Sequence, residues 1–349
     1  MSRIVTFGEI MGRLAPPGFK RFQQTMPGTL GITFAGAEAS IASSIAYLGG
    51  DAAFVTALPD HAIADACVAN LRSLGVSTQH ILRTPKGRLG LYFLETGANQ
   101  RPGNVIYDRE GSSIAITPAT AYDWNAIFDG AEWFVVSGIT PAISRNAADV
   151  TIAALREASQ RGVKVAIDMN YRSKLWRWEP SLQPRELATR TMRELLPFAD
   201  LFVGGREDAE AMLGLTNSGS LEELARQISQ QFPRIAYVAM TIREGISATH
   251  NNFGGLLFDK VANQVCYAPE KGRLYPITNI VDRVGAGDAF TAGLIYAMTN
   301  TEFASPQRTI AFATAAGCLA HSIEGDFNFS SREEIEALVE GNSAGRVNR

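Results

Sequence analysis

The sequence predicts an α/β protein whose mostly parallel sheet is covered by helices on both faces and carries a small second β-sheet. The first observation is the regular alternation of short apolar runs with segments of helical period, which is typical of parallel sheets. The second is that two stretches rich in glycine, proline and strand-forming residues, 11–34 and 88–110, interrupt this rhythm. The 349 residues suit one α/β core with a small appendage. We therefore expect one domain, 1–349, with a lid built from those two stretches.

The predicted helices and strands are identified from local sequence patterns. Gly49 and Gly50 end a segment of helical period, and Gly75 ends the next one, which we expect Asp60 to cap. Apolar runs of four to seven residues between such segments predict strands. The predicted strands are 4–7, 52–56, 132–137, 163–168, 201–203 and 235–241. The predicted helices are 37–48, 60–74, a segment ending at 155, 286–298, 307–322 and 332–340.

Composition and charge exclude several classes of protein. The net charge of −3 and the lack of basic clusters argue against a nucleic-acid partner. No apolar run approaches the roughly 18 residues of a membrane helix, and the first residues do not resemble a signal peptide. Three scattered cysteines and four histidines show no metal-ligand spacing, which predicts reduced thiols. We expect a cytoplasmic protein with small-molecule ligands.

The stretch 280–290 carries the strongest chemical signal. A β segment leads into Gly285, Ala286 and Gly287, and a long helix follows. Glycines let backbone N–H groups converge there, and a helix start adds unpaired N–H groups and a positive dipole end, so the turn suits a phosphoryl group. Asp288 at the helix entrance can take a proton from an attacking alcohol. From these residues alone, a purely structural turn with Asp288 as a helix cap remains open.

Two familiar phosphate-binding patterns fit this stretch less well. A dinucleotide-binding turn needs a third glycine where Phe290 stands and an acid about 20 residues later, where Gln307 stands. The P-loop pattern GxxxxGK[ST] does not occur in the sequence.

The motifs resemble those of a known enzyme family. Asp282-x-x-Gly285-Ala286-Gly287-Asp288, and the stretch AGAEASIA at 35–42, are similar to the two signatures of ribokinase-like, pfkB-type carbohydrate kinases. The segments GEIM at 8–11, VIYDR at 105–109, DMNYR at 168–172 and VDRV at 281–284 resemble its 2-keto-3-deoxygluconate kinase branch. The resemblance implies a ribokinase-like three-layer α/β/α core with a β lid. It implies ATP and Mg²⁺ as well, and it leaves a monovalent cation open.

Spacing places some substrate candidates together. Tyr107 and Arg109 share a strand face because side chains alternate, and Asp168, Asn170 and Arg172 have the same spacing just past a parallel strand, where α/β sheets bind ligands. The resemblance assigns the substrate to Gly36, Tyr92, Tyr107, Arg109, Arg172 and the base Asp288. Three alternatives stay open: Tyr92 in the lid core, Arg109 as a solvated charge, and Arg172 paired with Asp168 or Glu179.

The nucleotide candidates also follow from the resemblance. They are Thr241, Arg243, Asp282, Gly285, Gly287, Gly325 and Asn328. The metal ligand is unassigned, with Asp208 as a candidate acting through water. Two positions depart from the family pattern: Ser40 and Gly205 stand where asparagine is usual.

The expected activity is ATP-dependent phosphorylation of the terminal hydroxyl of a keto-acid sugar, 2-keto-3-deoxygluconate above others, giving 2-keto-3-deoxy-6-phosphogluconate. Two alternatives remain, a kinase for a neutral sugar such as fructose or ribose, and a catalytically silent sugar-binding protein on the same fold. The resemblance also implies a homo-oligomer.

Overall fold

The computed structural model describes residues 2–215, 219–303 and 305–342. Within these ranges the strands are β1 (Arg3–Phe7), β2 (Met11–Ala15), β3 (Gly31–Ala35), β4 (Asp51–Pro59), β5 (Ile81–Thr84), β6 (Gly90–Glu95), β7 (Asn104–Asp108), β8 (Ala131–Ser137), β9 (Lys164–Asp168), β10 (Leu201–Gly204), β11 (Tyr237–Ser247), β12 (His250–Asp259), β13 (Gln264–Ala268) and β14 (Tyr275–Ile277). The helices are α1 (Phe22–Thr25), α2 (Ala37–Tyr47), α3 (Ala62–Ser73), α4 (Ser113–Ile116), α5 (Trp124–Ile127), α6 (Arg145–Gln160), α7 (Pro184–Leu195), α8 (Arg206–Leu213), α9 (Leu221–Gln231), α10 (Ala286–Met298), α11 (Pro306–Ala320) and α12 (Arg332–Val339).

The large sheet has the order β13-β12-β11-β10-β9-β8-β1-β4-β5, with β14 beside β12. All neighbours from β5 to β11 run parallel. The strands β12, β13 and β14 continue the sheet antiparallel beyond β11. The carboxyl ends of the parallel strands therefore share one edge, which is where such sheets bind ligands.

The strands bury both faces, which makes the core three-layered. Successive side chains of a strand point to opposite faces. On β8, Phe134 and Val136 belong to the core beneath α6, α7 and α9. Trp133 and Val135 on the same strand belong to the core beneath α2, α3, α10 and α11. This arrangement confirms the predicted helix layers on both faces of a mostly parallel sheet.

A second sheet, called the lid sheet below, has the order β3-β2-β6-β7. Its strands are antiparallel neighbours except for the parallel pair β2 and β6. Register places one row of side chains on each face. The inner row is Thr33, Arg13, Tyr92 and Tyr107. The outer row is Ile32, Leu14, Phe93 and Ile106.

Several local expectations differ from the structure. His61, not Asp60, caps α3, since its Nδ1 accepts from the Ala64 N–H at 3.2 Å. The stretch 11–34 contains the single helical turn α1. The helices α4, α5 and α7 to α9 had no predicted counterpart. Nor did the strands β5 and β12 to β14; within β12, Gly254 and Gly255 are residues that strands disfavour.

Packing explains why those two glycines lie inside a strand. A Cβ on Gly254 would lie 2.4 Å from the Leu274 side chain, and one on Gly255 would lie 2.4 Å from the hydroxyl of Thr314 on α11. Glycine in a strand often marks such close approach of a neighbouring segment. The two residues are required by tertiary packing and not by a turn.

Candidate functional site

The principal cleft lies between the carboxyl ends of the parallel strands and the lid sheet, and has a volume of about 710 Å³. Strand ends contribute Asp168 and Gly204, the lid sheet contributes Tyr92 and Tyr107, and the start of α10 contributes Asp288. The cleft therefore gathers residues from all three thirds of the chain. This is the place that the sequence predicts for ligand binding.

Asp288 occupies the first turn of α10 and is 8% exposed. The helix begins after Gly285 without a side-chain cap, so its first N–H groups remain available to an anion. The Asn170 amide donates to Asp288 Oδ1 at 3.3 Å. The carboxylate thus points toward β9 and the cleft and does not cap its own helix, which weighs against the purely structural reading of the turn.

The acid cluster around Asp288 shifts its proton affinity. Burial raises the pKa of the Asp288 carboxyl well above its usual value, Asp168 raises it further, and Arg172 opposes the shift. Burial, together with the charge of Asp208, also raises the pKa of Asp168 to about 7, although the Thr291 hydroxyl donates to it at 2.9 Å. A carboxylate of raised pKa is a stronger base, which suits proton removal from an alcohol.

The glycines of the turn have different constraints. Gly285 has a φ of +85°, and a Cβ there would lie 2.3 Å from the Asp326 carbonyl oxygen. A Cβ on Gly287 would meet only Arg243 Nη2, at 3.4 Å. Gly285 is therefore required by backbone conformation and close approach. The protein itself leaves room for a Cβ at Gly287, so a need for glycine there would come from the bound ligand.

The five predicted substrate residues besides Asp288 all line the cleft, namely Gly36, Tyr92, Tyr107, Arg109 and Arg172. Gly36 is held close to the chain at residue 9, because a Cβ would lie 2.1 Å from the Glu9 carbonyl oxygen. Arg172 is exposed to the cleft and donates to the Tyr171 carbonyl at 3.1 Å. Neither Asp168 nor Glu179 forms an ion pair with Arg172 in the described ranges.

Two of these side chains already have protein partners. The Arg109 Nε donates to Glu9 Oε2 at 2.7 Å, and its guanidinium lies 5.4 Å from the ring centre of Tyr107. The Tyr92 hydroxyl donates to both Asp326 oxygens, at 2.7 and 2.9 Å. Arg109 thus forms a buried ion pair with Glu9 and is not a solvated charge. Tyr92 links the lid sheet to Asp326 through its hydroxyl.

The nucleotide candidates divide into two groups. Thr241, Arg243, Gly285 and Gly287 line the cleft. Asp282, Gly325 and Asn328 are not part of its lining. The Gly325 N–H donates to Asp282 Oδ2 at 3.2 Å. Asn328 Oδ1 accepts from the N–H and hydroxyl of Ser330 at 3.1 and 2.8 Å, which shapes its own loop.

Asp208 lines the cleft at the start of α8. Its Oδ1 accepts from the Tyr171 N–H at 2.9 Å and its Oδ2 from the Gly205 N–H at 2.8 Å. Each oxygen keeps one lone pair, so the residue fits a Mg²⁺ held mainly by phosphates and water. Groups of three or more acidic, histidine or cysteine side chains that could hold a metal directly are absent from the described part of the chain.

The two departures from the family pattern have different surroundings. Ser40 is fully buried in α2, away from the cleft lining, and its hydroxyl has no hydrogen-bond partner among the described residues. Gly205 lines the cleft, and a Cβ there would meet Asp208 Oδ2 at an ordinary 3.5 Å. An asparagine at 205 would therefore fit.

The sequence did not single out several residues of the site. Glu9 and Arg13 lie in the amino-terminal stretch, where no periodic pattern marks them, and Asp326 was seen only as part of a loop. Asn170 was noted for its spacing from Asp168 but had no role assigned. Their partners are 100 or more residues away in the chain, so a local pattern could not identify them.

No helix among the described residues is long and apolar enough to cross a membrane.

Comparison with known proteins gives consistent relatives. A 2-dehydro-3-deoxygalactonokinase of Haloferax volcanii is 30% identical over 99% of this chain and 98% of its own. The structure of a 2-dehydro-3-deoxygluconokinase from Thermotoga maritima is 40% identical with a TM-score of 0.89, covering 97% of this chain and 98% of that one.

A more distant structure shares the fold, an Escherichia coli putative ribokinase II in complex with ATP and Mg²⁺. It is 20% identical with a TM-score of 0.79, covering 98% of this chain and all of that one. The sequence profile of the pfkB family carbohydrate kinases matches residues 1–331. With the cleft, the ribokinase-like fold and these relatives in agreement, the chain belongs to the pfkB family of carbohydrate kinases.

Proposed function

We propose that this kinase transfers the γ-phosphoryl group of ATP to the terminal hydroxyl of 2-keto-3-deoxygluconate or a close keto-acid sugar. The observation that carries the proposal is the cleft itself. It places a buried carboxylate, Asp288, beside the uncapped start of α10 and within the same space as the exposed guanidinium of Arg172. The relatives named above act on two sugar acids of this kind, which supports the same class here.

The chemistry follows from the arrangement. Asp288 takes the proton of the sugar hydroxyl as its oxygen attacks the γ-phosphorus, and the bond between that phosphorus and the bridging oxygen of ADP breaks. N–H groups of the α10 start stabilise the charge on the transferring group. Asp208 would hold a bound Mg²⁺ through water, and the ion would neutralise the phosphate charge. Thr241 and Arg243 also line the cleft, and we assign them to the nucleotide.

Arg172 is the best candidate to receive the substrate carboxylate. Arg109 is committed to Glu9, whereas Arg172 presents its guanidinium to the cleft. An arginine matches a carboxylate with two parallel hydrogen bonds. Tyr107 lines the same region and can donate to a sugar oxygen.

The test is an ADP-release assay with 2-keto-3-deoxygluconate, 2-keto-3-deoxygalactonate, fructose and ribose. We expect kcat/KM for an acid sugar to exceed that for fructose, and Arg172→Met to reduce the acid-sugar value by about 10- to 100-fold, as loss of a charged hydrogen bond implies. Arg145→Met, which changes an exposed arginine paired with Glu179, is the control. A fructose value equal to or above the acid-sugar value would favour the neutral-sugar alternative, and no turnover of any sugar would favour the silent one.

We also propose that the protein is a cytoplasmic homo-oligomer, since ATP is its phosphoryl donor and the outer row of the lid sheet is apolar. Ile32 and Ile106 in that row are 55% and 50% exposed. Exposed apolar patches of this kind commonly mark protein contacts.

A further inference from the structure

A buried ion network lies behind the phosphate-binding turn. Arg13, on the inner row of the lid sheet, is 4% exposed. Its Nη1 donates to Asp326 Oδ1 at 2.7 Å, and its Nη2 donates to Asp282 Oδ2. One guanidinium thus bridges two buried carboxylates that lie 44 positions apart in the chain. The proposed catalytic and substrate roles do not use Arg13.

The chain itself satisfies the oxygens of both acids. Asp282 Oδ1 accepts from the Val284 N–H at 3.0 Å, and its Oδ2 also accepts from the Gly325 N–H at 3.2 Å. Both Asp326 oxygens accept from the Tyr92 hydroxyl. Within the described ranges, every oxygen of the two carboxylates therefore has a hydrogen-bond partner. Burial raises the pKa of the Asp326 carboxyl, and Arg13 opposes that shift, so the guanidinium favours the ionised acid.

This network reaches the phosphate-binding turn by two routes. Asp282 and Val284 lie three positions and one position before Gly285, so the hydrogen bond between them shapes the entry to the turn. The carbonyl oxygen of Asp326 occupies the space above Gly285, where a Cβ would lie 2.3 Å away. The position of Arg13 therefore fixes both segments that hold the start of α10.

Two buried carboxylates that share one guanidinium require its positive charge, because an uncompensated buried charge is strongly destabilising. The resemblance to related kinases left a monovalent metal ion open for this region. The donor set does not fit one here: the carboxylate oxygens face a guanidinium, two backbone N–H groups and a phenol hydroxyl. The positive charge is already supplied by the protein.

We propose that Arg13 is a built-in cation and a positioning residue, which assembles the phosphate-binding turn so that phosphoryl transfer needs no alkali-metal ion. The proposal rests on the proposed kinase function and adds how its phosphate site is held. It also ties the lid sheet to the turn, because Arg13 and Tyr92 both belong to the inner row.

The first experiment uses the wild-type protein. Turnover of the acid sugar is measured with Mg²⁺ in potassium, sodium or tetramethylammonium chloride at equal ionic strength. We expect the same kcat within about twofold in all three salts. A kcat that collapses in tetramethylammonium and returns with potassium would overturn the proposal.

The second experiment removes the built-in cation. Since small misplacements of catalytic groups can cost about a hundredfold in rate, Arg13→Met should lower kcat by about that factor. The sugar KM should change little, because Arg13 does not line the cleft. Arg13→Ala should regain at least about tenfold in kcat on addition of millimolar methylguanidinium. Arg88→Met is the matched control, since Arg88 is an exposed arginine of the same region that pairs with Asp108.

The outcomes separate this proposal from the kinase assignment. Wild-type kcat in Arg13→Met, or a fall in activity through KM alone, would overturn the positioning role. If neither Arg13 variant folds, the wild-type salt series decides. If the wild type phosphorylates no sugar in any salt, the kinase proposal fails. The inference about Arg13 is then tested by itself through the affinity for MgADP, measured by calorimetry in the same three salts. Equal affinities support the inference, and potassium-dependent binding contradicts it.

Discussion

Asp288 owes its chemical character to neighbours that are distant in sequence. Asn170 donates to it, Asp168 lies close enough to raise its pKa, and Arg172 opposes that shift. The sequence identified Asp288 through its place at a helix start. The proton affinity that suits a base comes from burial and from this acidic surrounding.

Replacing Asp288 by asparagine tests the proposed base. Asp288→Asn should lower kcat by ~10²–10⁴, the range for loss of a general base. Nucleotide binding should survive, because the anion-binding groups are backbone N–H groups. Steady-state kinetics and MgADP calorimetry measure both quantities, with Asp60→Asn, an exposed aspartate, as the control. A variant with near-normal kcat would remove Asp288 from the mechanism.

Asp168 should make stability depend on pH. Its folded-state pKa of about 7 exceeds the usual 3.8, so its favourable contribution is fully present below about pH 4 and is lost as the pH rises through 7. Asp168→Asn should therefore raise the free energy of unfolding at pH 8 by on the order of 4 kcal/mol and change it little at pH 4. Removing the charge should also move the acid limb of kcat/KM to lower pH, because Asp168 raises the pKa of Asp288.

Denaturant titrations of both proteins at pH 4, 6 and 8 measure the difference in stability. Asp108→Asn is a useful control, since the Arg88 guanidinium lowers the pKa of this surface carboxyl and the pH trend has the opposite sign. A difference between Asp168→Asn and wild type that does not grow with pH would contradict the expected proton binding.

At the scale of elements, the start of α10 is set by the segments packed against it. Gly285 takes a left-handed conformation beneath the Asp326 carbonyl, and Val284 is held by the Asp282 side chain. The turn is thus built by the loop at residues 282–284 and by the loop around 326. Neither loop alone would fix the direction of its N–H groups.

The two glycines of the turn should respond differently to alanine. Gly285→Ala places a Cβ 2.3 Å from a backbone oxygen in a conformation that costs about 1–2 kcal/mol for other residues, so we expect lower stability and at least about a hundredfold lower kcat. Gly287→Ala meets only the end of the flexible Arg243 side chain and should keep its fold and more than about a tenth of wild-type kcat. Melting temperatures and kcat values of the two variants test this difference. A Gly287→Ala variant that is less stable and slower than Gly285→Ala would show that Asp326 does not hold the turn.

At the scale of the whole molecule, the lid sheet has two faces with different roles. Its inner row contacts the cleft and the loops behind the turn, through Arg13, Tyr92 and Tyr107. Its outer row is apolar, and Ile32 and Ile106 at the two ends of that row are exposed. Exposure of apolar side chains to water is unfavourable, and an exposed apolar patch commonly marks a surface that contacts another protein.

We therefore expect the outer row to lie in a contact between copies of the chain. Ile32→Glu should reduce the molar mass in solution to that of a smaller species, because burying a carboxylate without a partner is unfavourable. Sedimentation velocity at micromolar concentration measures this. Val261→Glu, at a position 86% exposed on a turn between β12 and β13, is the control. A wild type that is already monomeric would contradict the expected assembly.

Prediction from the sequence succeeded where the signal is local. Helix α10 was predicted with the bounds that the structure has, because Gly285 marks its start and its apolar residues have helical period. The parallel strands were found as apolar runs. The prediction missed β12, whose two glycines reflect the close approach of Leu274 and of Thr314 on α11. It also chose Asp60 as a cap where the neighbouring His61 side chain accepts the bond.

The sequence by itself determined the fold class, the family and the phosphate-binding turn with Asp288, since short motifs and periodic burial are properties of neighbouring residues. Only the tertiary structure decided which of the two arginines that line the cleft is paired with a carboxylate. Arg109 and Arg172 look alike in the sequence, but Glu9 neutralises one and leaves the other open to a substrate. Arg13 became visible for the same reason: the energy of a buried charge depends on what surrounds it in space, and its partners lie about 270 and 310 residues away.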